Sequence, residues 1–139
     1  MHNILIIGAG LSSSALIHYV LKNAETKSWN VTVADADPLK VEKLIAGHVM
    51  ARAAWLDVMK VNDRRELISR ADVVVSLIPA HLHLEVAKDC ITYKKHMVTA
   101  SYISPAMQEL DAAAKENGLV FMNEIGLDPG IDHMSAMKV

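Results

Sequence analysis

The start of the chain constrains the fold most, because an apolar run ends abruptly at two glycines. The run reads N-I-L-I-I, and Gly8 and Gly10 follow it directly. Beyond them, Leu16, Tyr19 and Val20 recur at the three- to four-residue spacing that places side chains on one face of a helix. The stretch therefore predicts a strand, a tight turn and a helix, with those three side chains on one apolar face.

The residue types in this turn favour a bound phosphate group. Gly8 lets the backbone leave the strand sharply, and Gly10 has no side chain that would keep a pyrophosphate away from the main chain. Leu11, Ser12 and Ser13 open the helix, where backbone N–H groups attract anions. Ser13 stands where the G-x-G-x-x-G pattern has its third glycine, and it is small enough for close helix–strand packing. All five residues are candidate cofactor-binding residues.

A second strand over residues 31–34 ends in Asp35, 22 residues after Ser13, where dinucleotide-binding domains hold a ribose hydroxyl. The alternative is a βαβ turn that binds no phosphate. Because Asp37 follows and the nearest cation is Lys40, we expect NAD to bind at least about tenfold more tightly than NADP. NADP is the alternative cofactor.

The remaining pattern predicts an α/β fold: a doubly wound parallel sheet of the Rossmann type, with strands in the order 3-2-1-4-5-6 and helices on both faces. Further strands are expected at residues 51–56, 72–79, 97–100 and 119–122. Helices are expected after Asp37-Pro38, after a cap at Asn62 and Asp63, around residues 82–90, and from Ser104-Pro105 to Asn117-Gly118.

The carboxyl ends of these strands meet at one edge, which adds candidate cofactor contacts. Asp57 follows strand 3 and is a candidate acceptor for the adenine amino group, with a plain turn aspartate as the equal alternative. Ile78 and Pro79 end the most hydrophobic strand, which reads as a central strand buried on both faces. They complete the predicted cofactor site.

Composition argues against several other classes of function. The 139 residues are 52% hydrophobic and 22% charged, as in one ordinary globular domain. The net charge is −2, and Arg64-Arg65 and Lys94-Lys95 are isolated pairs that we expect at solvated corners, so neither nucleic acid nor a membrane is an expected partner. His81 and His83 do not share a helix face, so we expect no metal site.

A cytoplasmic location is expected, because the chain begins directly in strand 1 without a signal-like segment and no apolar run approaches membrane-spanning length. Cys90 is the only cysteine, which fits a reducing compartment, and we expect it in the core of a helix face. Residues 134–139 begin another helical pattern and then stop. We therefore expect residues 1–139 to be a dinucleotide-binding domain excised from the amino terminus of a longer enzyme.

Three segments carry a family resemblance: G-A-G at 8–10, V-T-A-S-Y at 98–102, and N-E-I-G-L-D-P-G-I-D-H at 123–133. Together they resemble saccharopine dehydrogenases of the glutamate-forming type, also called saccharopine reductases. The resemblance implies reduction of the imine between 2-aminoadipate semialdehyde and glutamate to saccharopine, or the reverse, in lysine metabolism. It also implies that a small molecule is the partner, that relatives commonly use NADP, and that a further active-site cysteine lies beyond Val139.

The same resemblance places Tyr102 and Asp128 in the active site, where a phenol or a carboxyl group can assist proton transfer during imine formation and hydrolysis. The alternatives are that Tyr102 only packs and that Asp128 caps the helix that follows it.

A non-catalytic NAD-sensing module is the alternative class of protein. Such a module needs only the phosphate-binding turn and the acidic residue that holds the ribose. The oligomeric state is open, with a homodimer as one alternative.

Overall fold

A computed structural model of the chain describes residues 2–10, 13–99 and 104–122. Within them, one parallel sheet has the strand order β3-β2-β1-β4-β5-β6, which confirms the predicted Rossmann topology. The strands are β1 (His2–Ile7), β2 (Trp29–Asp35), β3 (Ala51–Trp55), β4 (Val73–Ser76), β5 (His96–Thr99) and β6 (Phe121–Met122).

Two of the helices between these strands begin at the capping residues that the sequence pattern predicts. The Asp37 carboxylate accepts a hydrogen bond from the Lys40 amide, and Ser104 Oγ accepts one from the Met107 amide, each with a proline next in the chain. The helices are α1 (Ser14–Lys27), α2 (Pro38–Ile45), α3 (Val61–Ser69), α4 (His83–Tyr93), α5 (Pro105–Glu109) and α6 (Asp111–Glu116).

The sheet separates two apolar clusters, because alternate side chains of each strand point to opposite faces. On one face, Ile6 packs with Ile17 of α1 and Val41 of α2. On the other face, Leu5 and Ile7 pack with residues of α3, α4 and α5, among them Ile68, Val86, Cys90 and Met107. Helices therefore cover both faces, and Cys90 is a core thiol as expected.

Strand β4 is the central strand that its apolar sequence predicts. Val74, Val75 and Ser76 are all buried, and β4 lies between β1 and β5. It is shorter than the predicted run of residues 72–79, since it ends at Ser76, where the chain turns toward α4.

Tyr19 was placed on the wrong side of α1 by the sequence pattern. Its side chain is 62% exposed, whereas the buried stripe of the helix consists of Ile17, Val20, Leu21 and Ala24. This stripe has the i, i+3, i+4, i+7 spacing of an amphipathic helix, and Tyr19 lies outside it. The sequence alone does not show which of two overlapping stripes faces the sheet.

Two helix boundaries also differ from the prediction. Helix α3 begins at Val61 after Lys60, so Asn62 and Asp63 lie inside its first turn and do not cap it. The predicted single helix after Ser104 is two helices, because Leu110 N–H donates to the carbonyl of Met107, three residues back, and tightens the turn there.

The longest described helix, α1, has 14 residues, and none of the described helices combines the length and apolar character needed to cross a bilayer.

Candidate cofactor-binding site

Gly8 lies where the ends of three strands meet. Its N–H donates to the Ala34 carbonyl at 2.8 Å, and Leu77 N–H donates to the Ile7 carbonyl at 2.8 Å. The φ angle of Gly8 is +108°, and a Cβ atom there would lie 2.9 Å from the Leu77 carbonyl oxygen. Only glycine fits this position, because both the backbone conformation and the neighbouring strand exclude a side chain.

Gly10 has a different reason to be glycine. It is exposed, and a Cβ atom built on it would meet no described atom within 4 Å. Packing within the described part of the chain therefore does not require glycine at this position. The open space beside the main chain is what a phosphate group approaching the turn would need.

Ser13 closes the turn after Gly10. Its amide donates to the Gly10 carbonyl at 3.1 Å and its hydroxyl donates to the same oxygen at 2.6 Å. The residue is 2% exposed, so its small side chain is buried at the start of the helix. Helix α1 begins at the next residue, Ser14, so its amino end directly follows the turn.

A cleft of about 210 Å³ opens at the carboxyl edge of the sheet. It brings together four of the predicted cofactor-binding residues, Gly8, Asp35, Asp57 and Ile78, which come from four separate segments of the chain. This volume is below the ~300–1,000 Å³ of typical ligand pockets, so the cleft fits one part of a larger ligand. The other lining residues are Ile7, Ala34, Ala36, Leu56, Val58, Met59 and Leu82.

Two carboxylates give this cleft its charge. Asp35 Oδ1 accepts a hydrogen bond from the Ala36 amide at 2.8 Å, and Asp57 Oδ1 accepts one from the Met59 amide at 3.0 Å. The Asp57 bond is that of a turn aspartate, the alternative that the sequence left open, although Asp57 also lines the cleft. No lysine or arginine is among the described residues that line the cleft.

The other predicted site residues fall outside the lining of the cleft or outside the described part of the chain. Gly10 and Ser13 form the turn beside it, and Pro79 is exposed, with its carbonyl accepting a hydrogen bond from Leu82 N–H at 2.9 Å in the short 3₁₀ turn Ala80–Leu82. Leu11, Ser12, Tyr102 and Asp128 lie outside the described residues.

His83 is a buried residue near this edge whose role the sequence pattern did not predict. The imidazole Nδ1 lies 2.7 Å from Ser76 Oγ, and Nε2 lies 3.1 Å from Thr99 Oγ1. Burial lowers the pKa of His83 below its ordinary value of 6.5, because the protonated ring would lose its hydration. The sequence did contain a signal for this contact: two predicted neighbouring strands each contain a serine or threonine near the end, and a histidine follows the first of them.

Arg64 was predicted to lie at a solvated corner, and this prediction is wrong. The side chain is buried in the α3–α4 contact, where its guanidinium binds the Asp89 carboxylate and the carbonyl of Val58. Its neighbour Arg65 is half-exposed and reaches the same carboxylate from outside at 3.1 Å. The sequence signal for this ion pair was Asp89, a charged residue that lies beside the apolar residues of α4.

A larger cavity of about 560 Å³ lies at the opposite, amino-terminal edge of the sheet. None of the predicted site residues that the structure describes lines it, and its charged lining residues are Arg52 and Arg70. Ligands of open parallel sheets bind beyond the carboxyl ends of the strands, so the smaller cleft is the candidate site.

Neither a metal nor a reactive thiol is part of this candidate site in the described residues. Across residues 2–10, 13–99 and 104–122, no group of three or more His, Cys, Asp or Glu side chains is arranged to hold a metal ion. Burial, and to a lesser extent the charge of Asp89, raises the pKa of Cys90 to about 12, so its thiol stays protonated and unreactive at neutral pH.

Comparison with known proteins gives a consistent group of relatives. Residues 4–122 match the family described as saccharopine dehydrogenase NADP binding domain. A saccharopine dehydrogenase [NADP(+), L-glutamate-forming] from Pyricularia oryzae is 45% identical over 98% of this chain and 29% of its own length. A mitochondrial alpha-aminoadipic semialdehyde synthase from Bos taurus is 37% identical over 97% of this chain and 14% of its own length.

A solved structure is similar in fold to this chain. The apo histidine-tagged saccharopine dehydrogenase (L-Glu forming) from Saccharomyces cerevisiae superimposes with a TM-score of 0.88 and 38% identity, over 99% of this chain and 30% of that one. The chain thus spans less than a third of the length of these three proteins.

Proposed function

We propose, since this chain belongs to the saccharopine dehydrogenase NADP-binding domain family, that its carboxyl-edge cleft holds the adenosine half of a nicotinamide dinucleotide. Family membership itself confirms the resemblance read from the sequence. The observation that carries the proposal is the convergence of Gly8, Asp35 and Asp57 on one cleft beside the open turn at Gly10. Asp35 is placed to accept hydrogen bonds from a ribose, and the turn leaves room for the pyrophosphate.

A nicotinamide cofactor is confirmed at the level of the family, whose description names NADP. NADP is the alternative cofactor expected from the sequence, and the name of the P. oryzae relative includes NADP(+). The expectation that NAD binds more tightly depends on Asp35 and on a cleft whose described lining residues include no lysine or arginine, and it stays a prediction.

For the whole protein, we propose the reaction of a glutamate-forming saccharopine dehydrogenase: interconversion of saccharopine with glutamate and 2-aminoadipate semialdehyde. The bound nicotinamide would supply or accept the hydride. The described residues would bind and orient the adenosine half, while Tyr102 and Asp128 are the proposed proton-transfer groups because they match the family's active-site positions. The NAD-sensing alternative is less well supported, since the P. oryzae and B. taurus relatives carry enzyme names.

Calorimetric titration of NADPH and of NADH into the 139-residue chain tests the cofactor proposal. We expect saturable binding of at least one of them, and loss of binding in Gly10→Val. If neither binds to a folded chain, the cleft is not a dinucleotide site.

In the same preparation we expect no turnover of saccharopine, because the chain spans less than a third of the relatives' length. Robust turnover would show that the active site lies within the 139 residues. The compartment and a homodimer stay predictions from the sequence.

A further inference from the structure

One wall of the cleft is tied to a buried ionic contact. The wall consists of Asp57, Val58 and Met59, in the loop between β3 and α3. Arg64 Nη1 donates to the Val58 carbonyl at 2.8 Å, and Arg64 Nε donates to Asp89 Oδ2 on α4. Arg64 is 3% exposed and Asp89 is 2% exposed, so both charges have left water.

The other hydrogen bonds of this loop are mostly local. Lys60 N–H donates to the Asp57 carbonyl at 2.8 Å, and Met59 N–H donates to the Asp57 carboxylate at 3.0 Å. These bonds shape the turn, but they do not fix its position against the other wall of the cleft. Val58 packs against the apolar cluster that Ile78 also contacts, and the contact through Arg64 adds a directional link to the facing wall, because it reaches α4.

Helix α4 is also connected to the facing wall. Ile78 and Leu82 line that wall, and α4 begins immediately afterward at His83. His83 is bonded in turn to Ser76, the last residue of β4. Both walls are thus held by one helix, the first through Asp89 and the second through His83.

We propose that Arg64 is a positioning residue for the cofactor site: anchored by Asp89, it holds the Asp57–Val58–Met59 wall at the distance from the Ile78–Leu82 wall that the adenosine half requires. The inference rests on the proposed function, because the spacing of the walls matters only if the cleft holds a dinucleotide. An arginine suits this role, since its planar guanidinium donates to a carboxylate and a carbonyl simultaneously.

Arg65 provides a matched control. It is adjacent in sequence, carries the same charge and donates to Asp89 Oδ1 at 3.1 Å, but none of its described hydrogen bonds reaches the loop. Arg65→Met therefore removes one of the two arginines that pair with Asp89, but it keeps the hydrogen bond from Arg64 to the Val58 carbonyl. The test variant is Arg64→Met combined with Asp89→Leu, which removes both buried charges and leaves neither unpaired. Arg64→Lys is a second variant that keeps the charge but loses the planar fork, for use if the double variant does not fold.

Two measurements on the 139-residue chain test the proposal. Amide hydrogen exchange without ligand should show Met59 and Lys60 exchanging at least about tenfold faster in the double variant, with the β1 amides unchanged. Titration of NADPH and of NADH should show, for each cofactor that the wild-type chain binds, a dissociation constant raised by about tenfold. Arg65→Met should leave both readouts unchanged.

Unchanged exchange at Met59 and Lys60 in the double variant, or the same acceleration in Arg65→Met, would overturn the role of Arg64. A released loop with unaltered affinity for the cofactors that the wild-type chain binds would overturn it as well. If the loop responds as expected but the wild-type chain binds neither NADPH nor NADH, the proposed function fails, whereas the anchoring of the loop by Arg64 stands.

Discussion

The imidazole of His83 lies 2.7 Å from the hydroxyl of Ser76, and both side chains are buried. Ser76 is the last residue of β4, and Thr99, which lies 3.1 Å from the other ring nitrogen, is the last residue of β5. One side chain from the start of α4 thereby joins the carboxyl ends of two neighbouring strands. This is the edge of the sheet at which the cofactor cleft opens.

Replacing His83 with alanine should destabilise the chain. Two buried hydroxyls would lose the imidazole as a hydrogen-bond partner and a cavity would form, so we expect the free energy of unfolding to fall by roughly 3 kcal/mol. Urea unfolding followed by circular dichroism measures this change. His81→Ala is the control, because His81 is exposed and two residues away; equal losses in both variants would argue against a special role of the buried ring.

The stability of the wild-type chain should decrease in mild acid through His83. Burial lowers the pKa of His83 below 6.5 in the folded chain. At pH values between that lower pKa and 6.5, the unfolded chain therefore binds more protons than the folded chain does. The free energy of unfolding should therefore fall as the pH falls from 6.5 through the folded pKa, with no contribution from this group above 6.5. Urea unfolding at several pH values, compared with His83→Gln, isolates the effect; an identical pH dependence in both proteins would contradict it.

The two glycines of the turn should respond differently to substitution. Gly8→Ala forces a side chain into a φ of +108° and to 2.9 Å from the Leu77 carbonyl oxygen, so we expect a loss of about 2 kcal/mol or more in stability. Gly10→Val meets no described atom within 4 Å of the new Cβ and should change stability by less than about 1 kcal/mol, while abolishing cofactor binding. Thermal unfolding and calorimetry separate the two effects. Unaltered NADPH and NADH binding by Gly10→Val would place the pyrophosphate elsewhere.

Removing the charge of Asp35 should shift cofactor preference toward NADPH. A 2′-phosphate carries nearly two negative charges, and a like-charge pair at about 4 Å costs roughly 4 kcal/mol at an effective dielectric near 20 before salt and rearrangement reduce it. We expect Asp35→Ala to change the ratio of the NADPH and NADH dissociation constants by at least about tenfold, and Ala36→Arg to add to the shift. Asp37→Ala is the control, since that carboxylate caps α2. An equal shift in both single variants would show that the preference reflects the combined charge of Asp35 and Asp37 and not a specific contact of Asp35 with the ribose.

Much of the fold follows from local features of the sequence. The apolar run into Gly8, the cap at Asp37 before Pro38 and the continuous apolar run of β4 each act within a few residues, so their signals survive without tertiary information. Once strands and helices alternate with short connections, handedness leaves few sheet orders, and the observed order is the predicted one.

The tertiary structure decided the partners of buried polar groups and the choice between overlapping helix faces. Arg64 meets Asp89 from 25 positions away, and His83 meets Thr99 from 16 positions away, distances at which the local pattern gives no signal. Tyr19 is exposed because the sheet contacts a neighbouring stripe of α1. The sequence by itself determined the order of the elements and the nucleotide turn, because propensity and hydrophobic periodicity are local. Which charges were buried, and which strand ends were joined, depended on surfaces that meet only when the chain is folded.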